Sequence, residues 1–121
     1  PFAGRVDDLM RTRNNIDFDK TDYFPAYGLE HGEMTHNNGI VSGIDLVIQC
    51  VEIMKTYSFE TEVLAASIRN TRQTREAALA GAHIATLPFE VISRLLIHEK
   101  TMEGMHGFVR DVVPEYAELL S

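Results

Sequence analysis

The chain has 121 residues, 45% of them hydrophobic and 24% charged, which is typical of a soluble globular domain. A formal net charge of −7 argues against nucleic acid as the main partner, because phosphate backbones are bound by basic surfaces. No apolar run approaches the roughly 18 residues that a membrane span needs, and the single cysteine excludes an intrachain disulfide, so we expect a cytoplasmic protein without membrane contact.

The amino-terminal part divides into a short motif and a long irregular segment. The motif Pro-Phe-Ala-Gly-Arg at residues 1–5 has no initiator methionine, and we interpret it as a strand end cut from a longer polypeptide. The segment from about 12 to 38 is rich in Asn, Asp, Gly and Tyr and lacks a regular apolar spacing, so we interpret it as an insertion in a single domain segment spanning residues 1–121. His31 and His36 within it share no helix face, and no metal site is expected.

Apolar residues three and four apart predict a helix from Ile40 to Met54, with Ser42 and Asp45 capping its start. The continuous apolar run 63–66 predicts a buried strand of a parallel sheet. A helix at 71–80 that ends at Gly81 and a second strand at 83–87 follow, so the region reads as a parallel βαβ unit. Further helices are predicted at about 90–99 and 102–120, the last divided or kinked by Pro114 and docked on the domain or on a neighbouring subunit.

A polar tip follows the strand at 63–66. Ser67, Arg69 and Asn70 emerge at its carboxyl end, which is where α/β folds bind ligands. Guanidinium and hydroxyl groups at strand ends can hold a phosphate through charge-assisted hydrogen bonds. A surface salt bridge or ordinary loop hydrogen bonds would explain the same residue types.

The predicted elements alternate between strand and helix throughout. Three strands alone would leave open sheet edges and uncovered strand faces, so the pattern suits a portion of something larger. The fold class we predict is α/β, as the last three βα units of a (β/α)8 barrel, a fold that has about 250 residues when complete.

Two motifs carry a family resemblance: Pro-Phe-Ala-Gly-Arg at 1–5 with two aspartates following, and Val-Leu-Ala-Ala-Ser-Ile-Arg-Asn at 63–70. Together they resemble the sixth and seventh strands of the transaldolase family, including its fructose 6-phosphate aldolase-like members. The segment Ala-Gly-Ala-His-Ile-Ala-Thr-Leu-Pro at 80–88 is similar to that family's eighth strand. The resemblance implies that Arg5, Ser67 and Arg69 bind the substrate phosphate and that Phe2 lies near the sugar's reacting end.

The same resemblance implies class I aldol chemistry, in which a lysine Schiff base transfers or cleaves a dihydroxyacetone unit of a sugar phosphate, in the pentose phosphate pathway and without a cofactor. That lysine belongs to the family's fourth strand. The lysines here, Lys20, Lys55 and Lys100, lie in no apolar strand where burial would lower an amine pKa. We therefore expect no catalytic residue in this chain, which alone would be inactive and would associate with the rest of the barrel or as a homo-oligomer.

Two other functions stay open on the sequence alone. A non-catalytic truncated barrel module would at most bind phosphate. An open doubly wound α/β binding domain is also conceivable, although the chain contains no G-x-G-x-x-G phosphate fingerprint.

Overall fold

The computed structural model describes residues 1–30 and 38–111, and these ranges contain five α-helices and two short β-strands. The predictions concerning His31, His36, Pro114 and the end of the last helix fall outside them. No helix in the described ranges is both long enough and apolar enough to cross a membrane. In chain order the elements are α1 (Ala3–Arg13), α2 (Gly43–Thr56), β1 (Leu64–Ala65), α3 (Thr71–Leu79), β2 (Ile84–Ala85), α4 (Phe89–Leu95) and α5 (Glu99–Arg110).

Three extended segments run parallel, with β1 in the middle. On one side β1 pairs with β2, Leu64 opposite Ile84 and Ala65 opposite Ala85. On the other side Phe2 forms a parallel bridge with Ala66, whose carbonyl accepts a hydrogen bond from the backbone N–H of Ala3 at 2.9 Å. The predicted parallel βαβ unit is confirmed, and the first residues do lie beside it as an extended segment.

The buried residues of helix α2 share one core with residues of the β1 region. The start of α2 is capped as predicted, since the Ser42 hydroxyl accepts a hydrogen bond from the Asp45 backbone N–H at 2.9 Å. Helices α1 and α3 contact α2, and α4 contacts α3. The buried core joins residues from α1, α2, α3 and the β1 region: Ala3, Ile44, Val47, Val51, Val63, Ala65, Ile68 and Ala77.

Helix α1 is absent from the sequence-based prediction, which placed a strand end at residues 1–5 and an insertion from about 12. The strand-like part ends at Phe2, and Arg5 lies in the first turn of α1. The irregular part begins only after Arg13. A hydrophobic pattern did not reveal this helix because its buried face includes two charged residues, Asp7 and Arg11.

The carboxyl-terminal helices begin and end elsewhere than predicted. Helix α4 stops at Leu95 and not near residue 99, while α5 starts at Glu99 and not at 102. His98 separates them in an extended conformation and accepts a hydrogen bond from the Lys100 backbone N–H through its ring. The sequence did not predict this break between the helices, because histidine is not among the usual N-cap residues and residues 95–97 before it are apolar. No residue of α5 is buried.

Candidate functional site

Ser67 and Arg69 lie together just after the carboxyl end of β1. The Arg69 Nε donates a hydrogen bond to the Ser67 Oγ at 3.3 Å. Ser67 has a φ of 58°, in the left-handed region that costs a non-glycine residue about 1 kcal/mol or more. Its carbonyl accepts a hydrogen bond from the Gly4 backbone N–H at 2.9 Å, so the strained turn is held against the start of α1.

Gly4 allows the Arg69 side chain to lie directly on α1. A Cβ added at this position would overlap the Ser67 carbonyl oxygen and lie 2.6 Å from Arg69 Nε and 2.7 Å from Arg69 Cγ. Real Cβ contacts are essentially never that short. The glycine in the motif at residues 1–5 is therefore needed for a close approach between two segments more than sixty residues apart.

Further hydrogen bonds fix the backbone and the guanidinium of Arg69. Its backbone N–H donates to Gln73 Oε1 at 2.8 Å, within the first turn of α3. Its Nη2 lies 2.9 Å from Asp8 Oδ2 on α1, and its Nη1 donates to the Lys20 carbonyl at 3.4 Å. The residues at the end of β1 are thus bonded to α1, to α3 and to the irregular segment.

A cavity of about 320 Å³ opens beside this pair. It lies between the residues that follow β1 and those that follow β2, and its wall is formed by Ser67, Ile68, Arg69, Thr86, Leu87 and Pro88. A hydroxyl and a guanidinium on such a wall can donate hydrogen bonds to an anion. The carboxyl ends of neighbouring parallel strands are also where α/β folds bind ligands.

Arg5 and Phe2 are both exposed at the start of α1. The Arg5 guanidinium lies 4.8 Å from the centroid of the Phe2 ring, and the ring is 56% exposed. The structure therefore brings Ser67 and Arg69 together but stacks Arg5 on Phe2, outside their hydrogen bonds. Arg5 lies in the first turn of α1, three residues after Phe2, whose parallel bridge ends the extended segment.

Asp7 is a buried carboxylate that the sequence analysis did not single out. It accepts hydrogen bonds from the Gly43 backbone N–H and from Gln73 Nε2, both at 2.7 Å. Burial raises its pKa from 3.8 to about 6, against the opposing effects of the Gly43 N–H and the Arg11 guanidinium. The only local signal for a buried carboxylate was the pair Asp7-Asp8 that follows the first motif. The hydrogen-bond donors to Asp7 lie far along the chain, on α2 and α3.

The three lysines offer no buried amine. Lys20 follows α1 in the irregular segment, Lys55 is in the last turn of α2 and Lys100 is in the first turn of α5. All three are exposed. None is buried in apolar surroundings, as an amine used for covalent chemistry commonly is.

The fold and this site define an α/β protein with parallel strands, helices between them, and a polar, cationic group at the carboxyl ends of two strands. The chain matches the transaldolase/fructose-6-phosphate aldolase family over residues 1–118. It belongs to that family, as the two motifs had indicated.

Individual relatives show the same likeness over shorter stretches. A probable transaldolase of Alkaliphilus metalliredigens is 48% identical over 69 residues, which are 57% of this chain and 32% of that protein. One from Chlorobium phaeobacteroides is 52% identical over 69 residues, 57% of this chain and 31% of the relative. One from Herpetosiphon aurantiacus is 42% identical over 81 residues, which are 65% of this chain and 37% of that protein. The match thus spans about a third of these relatives' length.

Proposed function

We propose that the chain is the carboxyl-terminal part of a transaldolase-type enzyme and contributes the last three βα units of a (β/α)8 barrel. The parallel order of Phe2, β1 and β2 supports this, because consecutive barrel strands are neighbours joined by helices. Membership of the family and the small share of each relative that is matched agree with it. The remaining strands would come from the rest of the polypeptide, within the same chain or by association with the missing part of the barrel, and the protein would form a homo-oligomer.

The complete protein, on this proposal, transfers or cleaves a dihydroxyacetone unit of a sugar phosphate through a lysine Schiff base. This chain holds the substrate's phosphate with Ser67 and Arg69. The observation that carries the proposal is the Arg69–Ser67 hydrogen bond on the wall of the cavity between the ends of β1 and β2. Arg5 and Phe2 are proposed to reach the substrate from the start of α1, Arg5 at the phosphate and Phe2 near the reacting carbons.

Holding a phosphate contributes to rate as well as to affinity. Interactions with a remote, non-reacting group can fix the carbon skeleton against the catalytic amine. The Schiff-base lysine is proposed to lie elsewhere in the barrel, since the lysines of this chain are exposed. The location we propose is the cytoplasm.

Borohydride trapping tests the chemistry. Full-length protein incubated with fructose 6-phosphate and borohydride should gain one covalent adduct, either the uncleaved ketose phosphate or the dihydroxyacetone unit that stays on the lysine after the aldehyde phosphate leaves. Peptide mapping should place this adduct outside residues 1–121. An adduct on Lys20, Lys55 or Lys100 would contradict the assignment, and no adduct at all would contradict the Schiff-base mechanism.

The phosphate site is tested separately with Arg69→Ala. We expect KM for fructose 6-phosphate to rise by about a hundredfold, because charge-assisted hydrogen bonds to a phosphate are lost. Turnover of dihydroxyacetone with a non-phosphorylated acceptor aldehyde should change little, because neither reactant carries a phosphate. The control is Arg110→Ala, which removes an exposed arginine from the last turn of α5.

A non-catalytic, phosphate-binding module remains the second candidate, because the residues with phosphate-binding chemistry are present and a buried lysine is not. It predicts that a stable assembly of this chain alone binds fructose 6-phosphate in an Arg69-dependent manner without forming a borohydride-stable adduct.

A further inference from the structure

Arg69 forms an ion pair with Asp8 of α1, a residue to which neither the sequence nor the proposed function assigns a role. Nη2 of Arg69 lies 2.9 Å from Asp8 Oδ2, and the side chains are only 18% and 21% exposed. The other guanidinium contacts are Ser67 Oγ and the Lys20 carbonyl. Three of the five guanidinium N–H groups are thus engaged within the described residues, which leaves two for a ligand.

The other oxygen of Asp8 faces a second, buried arginine. Asp8 Oδ1 lies 3.5 Å from Arg11 Nη1, and Arg11 is 4% exposed. The Arg11 guanidinium donates a 2.6 Å hydrogen bond to the Asp22 carbonyl and lies 4.9 Å and 5.3 Å from the ring centroids of Phe18 and Phe24. Asp8 is therefore fixed between two guanidiniums, of which only Arg69 lines the cavity.

Two effects of Asp8 on a bound anion have opposite signs. Its negative charge repels an anion near Arg69, whereas its hydrogen bond selects one orientation of a long side chain that would otherwise sample many rotamers. Arg11 offsets the repulsion because its charge lies against the second carboxylate oxygen. The orienting effect should therefore exceed the repulsive one.

We propose that Asp8 is a positioning residue that orients the Arg69 guanidinium toward the cavity for binding of a phosphate group. The inference rests on the proposed phosphate-binding role of Arg69 and names the residue on which that role depends. Coulomb's law alone makes the opposite prediction, that removal of a carboxylate beside the site strengthens phosphate binding.

The test is a titration of full-length protein with inorganic phosphate by calorimetry. We expect Asp8→Ala to weaken phosphate binding by about tenfold although it removes a negative charge, because a misplaced guanidinium loses directed hydrogen bonds. Asp8→Asn keeps an acceptor oxygen and should bind phosphate within about threefold of wild type, or more tightly. The control for net charge is Glu60→Ala, at an exposed position away from the site, which should leave phosphate affinity unchanged.

Asp8→Glu covers the case in which Asp8→Ala does not fold. It keeps the charge but moves the carboxylate by one methylene, so positioning predicts weaker phosphate binding and pure electrostatics predicts no change. Phosphate affinity equal to or above wild type in Asp8→Ala, or in Asp8→Glu where that is the variant that folds, would overturn the inference. Arg69→Ala distinguishes failure of this inference from failure of the proposed function. If Arg69→Ala binds phosphate like wild type, the proposed phosphate-binding role of Arg69 fails, whatever the Asp8 variants do.

Discussion

Gln73 Nε2 donates a hydrogen bond to Asp7 Oδ2 at 2.7 Å, while Gln73 Oε1 accepts one from the Arg69 backbone N–H at 2.8 Å. One buried amide thus connects the carboxylate of α1 with the residue whose side chain lines the cavity. Because both Nε2 and Oε1 of Gln73 are hydrogen-bonded, a change at Asp7 should alter the position of the Gln73 amide and, through it, the backbone of Arg69.

The pH dependence of the free energy of unfolding should reveal the raised pKa of Asp7. Folding raises its pKa from 3.8 to about 6, so between these values the folded protein binds more protons than the unfolded chain. Its contribution to the free energy of unfolding is fully present below pH 3.8 and is lost as the pH rises through about 6. We expect a loss of about 3 kcal/mol at most.

Urea unfolding of full-length wild type and Asp7→Asn at pH 4 and pH 7.5 measures this effect. The free energy of unfolding of wild type, relative to that of Asp7→Asn, should be smaller at pH 7.5 than at pH 4. A difference that does not vary with pH would show that Asp7 has an ordinary pKa in the folded protein.

Gly4→Ala should damage stability and binding together. The added methyl group would overlap the Ser67 carbonyl and crowd the Arg69 side chain, so we expect about 1 to 3 kcal/mol of destabilisation and weaker phosphate affinity. The matched control is Gly104→Ala in α5, where the nearest atom would be 3.9 Å away and the free energy of unfolding should stay equal or rise by up to about 1 kcal/mol. Equal effects of the two substitutions would contradict the close approach at Gly4.

Ser67 should show a conflict between stability and binding. Ser67→Gly relieves the left-handed backbone and Ser67→Ala does not, while both remove the hydroxyl that accepts from Arg69. We expect the glycine variant to be more stable than the alanine variant by about 1 kcal/mol, measured by urea unfolding. Phosphate affinity should fall to a similar extent in both, and an alanine variant as stable as the glycine variant would argue against strain at Ser67.

Tyr23 should anchor the irregular segment to α3. Its hydroxyl donates a 2.7 Å hydrogen bond to Glu76 Oε1, and the Arg72 guanidinium lies 3.7 Å from its ring centroid. Tyr23→Phe would leave the partly buried Glu76 carboxylate short of a donor, so thermal unfolding should show a loss of about 1 to 3 kcal/mol. Tyr27→Phe is the control, since Tyr27 is 94% exposed and its variant should stay within about 0.5 kcal/mol of wild type. Equal stabilities of Tyr23→Phe and wild type would contradict an anchoring role for Tyr23.

Local sequence signals determined much of the fold. The spacing of apolar residues and the Ser42 cap predicted α2, and the apolar run before Ser67 with a helix ending near Gly81 predicted a parallel βαβ unit. The same reading placed Ser67 and Arg69 at a strand end, where they lie side by side. These features depend on residues within a few positions of one another, which is why a sequence can reveal them.

Only the tertiary structure decided what surrounds Arg69. Helix α1 escaped prediction because Asp7 and Arg11 belong to its buried face. The Asp7 carboxylate is accommodated by partners far along the chain, and the Arg11 guanidinium by the segment that follows α1. Asp8 meets Arg69 across 61 positions, and Gly4 is required by the same approach. The sequence by itself therefore determined the family, the strand ends and the cations. Which groups orient those cations depends on packing between distant segments, and no local pattern encodes that packing.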